Sequence, residues 1–370
     1  MGEKVLQVGI AGYGTVGKIR HTFIDNHPSM KTVAVCDLRF KEDGTMIEAS
    51  GLGLENHYFL NKLSHDVLKV GTRESGVWFH NNYKNLLESH SLDILFICLP
   101  NYLAPEVTIA ALDQGLHVFC EKPPGRSLKD IADVIACERK HSGQKLMYGF
   151  NHRYHDSVMD AMKIIQSDKL GEILSLRGVY GKSKIIKFDS DWRTNRVKSG
   201  GGILLDQGIH MVDMMRLFAG EFTEINSFIS NDYWKHDVED NAYALMKTEN
   251  GVVAMLHSSA TQWRHMFHLS INLTKGAINL SGILTSTKSY APETITVVYA
   301  DDNDEGNPRE QTTEYNDDKS WYREIVEFAN VIINNKPVIN GSSHEALKTM
   351  ELVNNIYKAD RHWSKKFNVS

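Results

Sequence analysis

What the 370-residue chain lacks already limits what it does. No stretch approaches the roughly 18 consecutive apolar residues that a membrane span needs. Cysteine is scarce, four in all, and no two stand in C-x-x-C spacing, which argues against a catalytic or metal-binding role. Cys36, Cys98 and Cys120 fall in apolar, strand-like runs and read as small buried hydrophobes, so the expected compartment is reducing and cytoplasmic. Neither sign of charge dominates. With 41 Lys and Arg against 46 Asp and Glu, the formal net charge is −5, which argues against nucleic acid or an anionic membrane as the main partner. Short basic runs such as Lys182-Ser183-Lys184 and Lys365-Lys366 read as solvated faces. There are no internal repeats and no low-complexity tract. Met1-Gly2-Glu3-Lys4 leads straight into the strand-like Val5–Ile10, so no signal peptide is expected.

The length exceeds the roughly 250–300 residues that one hydrophobic core supports, so two domains are expected. In the first third, short apolar runs (Val5–Ala11, Thr32–Asp37, Ile94–Leu99, His117–Cys120, Lys145–Gly149) alternate with amphipathic stretches such as Ala104–Gln114 and Ser127–Ser142. That is the pattern of parallel βαβ units. Ser127 reads as a helix N-cap, with Asp130 three residues on, and Gly143 as the helix stop. Residues 41–76, rich in Gly, His and Asn, read as an insertion near the mouth of the ligand crevice.

From Asn151 the texture changes. A helix over Asp156–Ser167 precedes β-like runs at Ile173–Tyr180, Thr223–Ser230, Asn241–Thr248, Val252–Ser259, Phe267–Asn272, Ala277–Ser281 and Thr294–Tyr299. Asn250-Gly251 suits a tight turn between two of them. Asp301–Asp318 reads as a loop, and Trp321–Asn334 and Ser343–Ser364 as closing helices. The expected architecture is an α/β Rossmann domain, a doubly wound parallel sheet, over residues 1–150. An α+β domain with an open, mostly antiparallel sheet follows over 151–370, its final helices packing back on the first domain.

The sharpest motif is Gly12-Tyr13-Gly14-Thr15-Val16-Gly17, a complete G-x-G-x-x-G between a strand and an amphipathic helix. Asp37 ends the next strand, 20 residues beyond Gly17, which is the context a dinucleotide fingerprint requires. Gly12 suits the tight turn, Gly14 the approach of a pyrophosphate and Gly17 close helix–strand packing. Asp37 suits the ribose hydroxyls of NAD, while Arg39, beyond Leu38, gives some tolerance for NADP. Leu99-Pro100-Asn101 ends another strand at the same sheet edge, where it reads either as a tight loop meeting the nicotinamide half of the cofactor or as a simple strand-terminating turn.

Two further elements carry chemistry. Glu121-Lys122-Pro123 follows a strand at the sheet's carboxyl edge, where Glu121 and Lys122 are expected to meet the cofactor and a lysine can hold a hydroxyl and steady its developing charge. Gly200-Gly201-Gly202 leads to Asp206 and His210, four residues apart at the start of an apolar helix and so on one helical face. A carboxylate beside an imidazole is what a general base near neutral pH needs. The same residues also suit an N-cap and a satisfied core histidine. No His, Cys and carboxylate set of recognisable spacing appears around Asp237, Glu239 and Asp240, and no metal is expected.

In this order, and together with Gly149-Phe150-Asn151-His152-Arg153-Tyr154, these motifs resemble one family: glucose-fructose oxidoreductase, inositol dehydrogenase and the rhizopine-catabolism oxidoreductases (Gfo/Idh/MocA). The likeness runs on to Trp321 and the closing helices. The resemblance implies NAD(P)-dependent oxidation or reduction of a sugar, an inositol or a sugar nucleotide, and a homodimer or homotetramer joined through the C-terminal sheet. It implies Lys122, Asp206 and His210 as the catalytic set. His210 removes the hydroxyl proton, Lys122 positions the hydroxyl, and Asp206 orients His210 or binds a neighbouring hydroxyl. Arg153, Tyr154, Trp192, Arg193 and Gln207 are the accompanying substrate contacts.

Three departures bear on the substrate. Ala104 stands where many relatives have a histidine, the lysine motif continues Pro123-Pro124-Gly125, and the 41–76 insertion has no counterpart in the minimal pattern. Two rival readings remain: an NAD-dependent glycosidase acting by transient oxidation, and a non-catalytic NAD- or sugar-sensing protein.

Overall fold

The computed structural model describes residues 5–40, 76–184, 192–285, 287–301 and 305–369. All of the expected insertion except Gly76 lies outside them. The chain divides into two compact units, one of Met1–Gly125, Lys129–Gly149 and Trp321–Ala346, the other of Arg126–Leu128, Phe150–Ser320 and Leu347–Ser370.

The first unit holds a six-stranded parallel sheet: β1 (Leu6–Ala11), β2 (Met30–Cys36), β3 (Trp78–His80), β4 (Ile94–Ile97), β5 (His117–Glu121) and β6 (Leu146–Gly149), in the order β3-β2-β1-β4-β5-β6. All four residues of β4 and of β6 are buried, as expected of strands covered on both faces. The strand order reverses between β1 and β4, so the crevice outside their carboxyl ends is where a ligand belongs. Strand β3, only three residues long, gave no periodic signal in the sequence. The helix expected over Ser127–Ser142 spans Leu128–Glu138, and Gly143 lies in a later turn instead of stopping it.

The second unit is built on an eight-stranded sheet. Its strands are β7 (Ile173–Ser183), β8 (Phe222–Ser230), β9 (Asn241–Thr248), β10 (Val253–Gln262), β11 (Met266–Leu273), β12 (Gly276–Ser281), β13 (Glu293–Tyr299) and β14 (Arg309–Tyr315). Their order is β14-β13-β12-β11-β7-β10-β9-β8, antiparallel throughout except for the β7–β10 pair. Burial alternates along β9 and β11, since the helices Asp156–Gln166 and Ile209–Ala219 cover one face. Gly251 makes the expected β9–β10 turn, its φ at +91°.

Two expectations are corrected here. Strand β14 lies inside the stretch read as a loop; it is polar on both faces and exposed nearly throughout, so only its ladder with β13 defines it. The last helix is two, Ser343–Ala359 and Arg361–Phe367. Asp360 divides them because its carboxylate caps Trp363 N–H (2.9 Å) and also accepts from Ile229 N–H (2.8 Å). Among the described residues no helix is long and apolar enough to cross a membrane.

Candidate active site

In the first unit, the turn after β1 opens the helix Thr15–Asp25. Gly12 has a left-handed φ of +91°, and a Cβ there would stand 2.3 Å from the Cys98 carbonyl oxygen. A Cβ at Gly17 would stand 2.0 Å from the Gly12 oxygen, so helix and strand lie too close for any side chain. Gly14 differs, because its Cβ would meet only the Arg39 guanidinium, 4.0 Å away. Among the described residues no contact requires that glycine, and its bareness leaves the backbone open to a ligand. No side chain caps the helix and no acid sits in its first turn, so its N-terminal N–H groups and positive dipole end suit a diphosphate.

Asp37 directly follows β2. Its Oδ2 accepts from the Tyr13 N–H at 2.9 Å, which ties the carboxylate to the glycine turn. Arg39 lies along it, with Nε 2.7 Å from Oδ1 and Nη2 2.7 Å from Oδ2, and donates to the Tyr13 carbonyl at 3.1 Å. Burial pushes the Asp37 carboxyl up, but the bonds from Arg39 and Tyr13 outweigh it and hold it below its ordinary value. It is therefore an acceptor suited to ribose hydroxyls. Leu38 is 78% exposed beside it. The Tyr13 ring is buried, with its hydroxyl 2.6 Å from His21 Nδ1, so the side chain of Tyr13, expected as a cofactor contact, is engaged within the protein. After β4, the Leu99 side chain borders Gly12, the Pro100 carbonyl accepts from Leu103 and Ala104, and Asn101 is buried.

Glu121 ends β5, and half-buried Lys122 follows it. Glu121, expected among the cofactor contacts, is engaged by Arg20, whose Nε donates to it at 2.7 Å. Arg20 is fully buried, its Nη2 lies 2.6 Å from Glu324, and its guanidinium stacks on Phe119 (4.4 Å) and Trp321 (4.5 Å). One guanidinium thus serves two carboxyl groups, and burial pushes Glu324 up to about 8. Arg20 and Glu324 belong to no motif and stand 304 residues apart, so no reading of spacing finds them.

In the second unit, the glycine run ends on a buried carboxylate. Glu239 accepts from the N–H groups of Gly202 (2.8 Å) and Leu204 (3.0 Å) and from the Tyr357 hydroxyl (2.7 Å). A regular helix from Asp206 is corrected: Leu204–Gly208 form a π turn before the α-helix Ile209–Ala219. The Ser258 hydroxyl takes the Ile203 carbonyl (3.2 Å), and Gly208 packs so close that a Cβ would stand 2.4 Å from Ser258 Oγ. Contact with β10 thus holds the wide turn, a feature frequent at functional sites.

The π turn carries Asp206 and Gln207, and the first α turn carries His210. Arg193 Nε donates to Asp206 Oδ1 at 3.2 Å, and its guanidinium lies 4.3 Å from the Trp192 ring. Gln207 donates to the Tyr290 hydroxyl at 3.0 Å. Four expected substrate residues, Trp192, Arg193, Asp206 and Gln207, therefore come together. Lys182, read from sequence as a solvated charge, is half-buried: burial lowers its ammonium, and the Asp206 carboxylate opposes that shift. His210 is buried and stacks on His152 with centroids 3.8 Å apart. His152 is bonded to the Tyr180 hydroxyl (3.1 Å) and to Asn151 (3.1 Å). Its place in the Gly149–Tyr154 motif was the available signal.

Arg153 and Tyr154, expected as substrate contacts, are both buried. Arg153 grips Asp213 through Nε (2.7 Å) and Nη2 (2.6 Å), and Asp213 also accepts from the Thr349 hydroxyl (3.1 Å). Arg153 is a tether between the Asn151–Tyr154 turn and the helix Ile209–Ala219.

Residues 6–150 match the model of the oxidoreductase family with an NAD-binding Rossmann fold, and residues 158–279 match that of the GFO/IDH/MocA C-terminal domain. The chain is similar to D-glucoside 3-dehydrogenase of Escherichia coli (strain K12), 26% identical over 97% of this chain and 96% of that one. It is also similar to 2,7-anhydro-N-acetylneuraminate hydratase of the same organism, 29% identical over 53% of each. A solved levoglucosan dehydrogenase in complex with NADH and levoglucosan shares the fold, with a TM-score of 0.78, 20% identity and 98% of each chain covered. With a glycine turn between the first strand and helix, a carboxylate at the end of the second strand and both family domains in sequence, the chain belongs to the Gfo/Idh/MocA family: it is an NAD-binding oxidoreductase, a dehydrogenase.

Proposed function

We propose that the chain transfers hydride between NAD(P) and a carbinol carbon of a sugar, an inositol or a sugar nucleotide, with Lys122, Asp206 and His210 as the catalytic set. One observation carries this reading. Asp206 and Gln207, on a π turn just ahead of a buried and stacked His210, are surrounded by Arg193, Trp192 and Tyr290. Alternating donors and acceptors suit vicinal hydroxyls, and an aromatic face suits the C–H side of a sugar ring.

Bound NAD supplies the hydride acceptor when the carbinol is oxidised. His210 takes the hydroxyl proton, a contribution typically worth about 10²–10⁴ in rate. Lys122 holds the same oxygen and steadies its developing negative charge. Asp206, fixed by Arg193, orients His210 or receives a neighbouring hydroxyl.

The test is absorbance of the purified chain at the NADH band with NAD or NADP and a panel of methyl glucosides, anhydrosugars, inositols, free sugars and nucleotide-linked sugars. Steady reduction that disappears in Lys122→Ala and His210→Ala supports the reading. The similarity to a hydratase motivates a second reading, an NAD-dependent glycosidase acting by transient oxidation. Its signature is bond cleavage with tightly held NAD and no accumulation of NADH. A chain that binds NAD and turns nothing over is the sensing protein.

The uncovered face of the C-terminal sheet is the proposed joint of a homodimer or homotetramer. Phe228 faces Tyr243 across β8–β9, and Leu245 faces Met255 across β9–β10; these four are 77%, 44%, 50% and 53% exposed. An apolar patch of that kind on a sheet is what association covers.

A further inference from the structure

We propose that the Rossmann unit carries a zinc-type metal site formed by Asp113, Cys137 and His141. Among the described residues, these three bring a carboxylate oxygen, a thiol sulfur and an imidazole nitrogen within 4.8 Å of one another. Asp113 closes the helix Ala104–Asp113, Cys137 lies in the last turn of the helix Leu128–Glu138, and His141 follows it in the next turn. Asp113 Oδ1 is 2.8 Å from His141 Nε2 and 3.4 Å from Cys137 Sγ. The four-residue step from Cys137 to His141 is held by hydrogen bonds from Lys140 N–H to the Cys137 carbonyl and from His141 N–H to the Glu138 carbonyl, both 2.9 Å.

Two donors, the His141 N–H and the Cys137 S–H, converge on one carboxylate oxygen, and a cation at their centre replaces both interactions. Thiolate, imidazole and carboxylate are zinc's own ligand types, at about 2.0–2.3 Å, which sets tetrahedral ligands roughly 3.3–3.8 Å apart. The Cys137–Asp113 pair already has that separation, and the His141–Asp113 contact opens by about half an ångström to reach it. Three protein ligands leave the fourth corner to water. On binding, Cys137 releases its proton to solvent, and neutral His141 carries its hydrogen on Nδ1.

The surroundings favour a cation. Two helices end here with no basic residue in either last turn, so their partial negative ends point at the site; Lys140 is the opposing charge. Asp113 and His141 side chains are 59% and 25% exposed, which gives an ion access, and Cys137 forms a buried floor. The site is also remote from the cofactor turn along the topology. The helix Ala104–Asp113 begins beyond the carboxyl end of β4, so its far end lies at the sheet's amino edge, where β5 starts at His117. A metal there staples two helices and takes no part in hydride transfer.

The full-length chain, reduced and stripped of metal, is titrated with Co²⁺. The expected result is one cobalt per chain, with a thiolate-to-cobalt charge-transfer band and tetrahedral visible bands that Zn²⁺ bleaches. Cys137→Ser is expected to remove the charge-transfer band, and His141→Ala or Asp113→Ala to weaken Co²⁺ binding by about tenfold or more. No such band from the folded chain, or a band that survives Cys137→Ser, overturns the site. Should Cys137→Ser fail to fold, the His141 and Asp113 variants decide, and unchanged cobalt affinity in both overturns it equally.

Discussion

The imidazole rings of His152 and His210 stack with centroids 3.8 Å apart and planes 13° from parallel. His152 is itself held by Tyr180 and Asn151, so the stack fixes the orientation of a ring proposed to accept a proton. His152→Ala is expected to lower kcat by about 100-fold, the cost of a misplaced catalytic group, while NADH affinity stays within twofold of wild type. Steady-state kinetics with a fluorescence titration of NADH checks it. An unchanged kcat would show that the stack is ordinary packing.

Asp37 and Arg39 act as one unit in cofactor choice. Asp37→Ala removes the acceptor for the ribose hydroxyls and releases Arg39 to meet a 2′-phosphate. NAD is expected to bind roughly 10- to 100-fold more weakly, the worth of hydrogen bonds to a charged group, with NADP affected less or improved. Equal losses for both cofactors would sink this assignment.

Arg20 sits between Glu121 and Glu324 with no solvent exposure. Arg20→Met leaves the half-buried Glu121 carboxylate without its cation and the buried Glu324 carboxyl without its donor, and is expected to cost about 3–5 kcal/mol in urea unfolding. Adding Glu324→Gln should restore part of that loss. If the double variant is no more stable than the single one, the ion pair is not what Arg20 contributes.

Glu293 accepts from His155 Nδ1 (2.8 Å), the Ser157 hydroxyl (2.7 Å) and Leu284 N–H (3.0 Å). Burial alone pushes it up, but these bonds prevail and hold it at about 2 against an ordinary 4.5. A depressed carboxyl contributes stability fully present above its ordinary value and lost as pH falls from about 4.5 toward 2, here about 3 kcal/mol. Urea midpoints between pH 7 and pH 3 should fall steeply for the native chain and less steeply for Glu293→Gln. Parallel curves would remove Glu293 from the acid limb.

Phe228→Asp combined with Leu245→Lys puts charge on the open face of the C-terminal sheet. Light scattering is expected to report a lower oligomer than wild type, with circular dichroism unchanged. An unchanged mass would place the interface elsewhere.

Much of the first unit was legible because its signals are local. G-x-G-x-x-G with Asp37 downstream and the apolar runs of β1, β2, β4, β5 and β6 depend on turn geometry and burial, which neighbouring residues set. Strand β14 was not legible: a polar, exposed segment has no hydrophobic alternation, and its partner β13 defines it. The π turn at Leu204–Gly208 was hidden for a similar reason, since the contacts beside it come from Ser258 on a distant strand, which donates to the Ile203 carbonyl and packs against Gly208.

The same division runs through the site. By itself, the sequence determined the glycine turn between strand and helix, the parallel βαβ order and the family, because each rests on short-range stereochemistry. Tertiary structure alone decided that Arg153 would grip Asp213, that Glu121 would meet Arg20 and Glu324, and that Asp113 would reach Cys137 and His141. These side chains are tens to hundreds of positions apart, and a charge or ligand atom takes its partner from the neighbours that packing provides, whatever their distance along the chain.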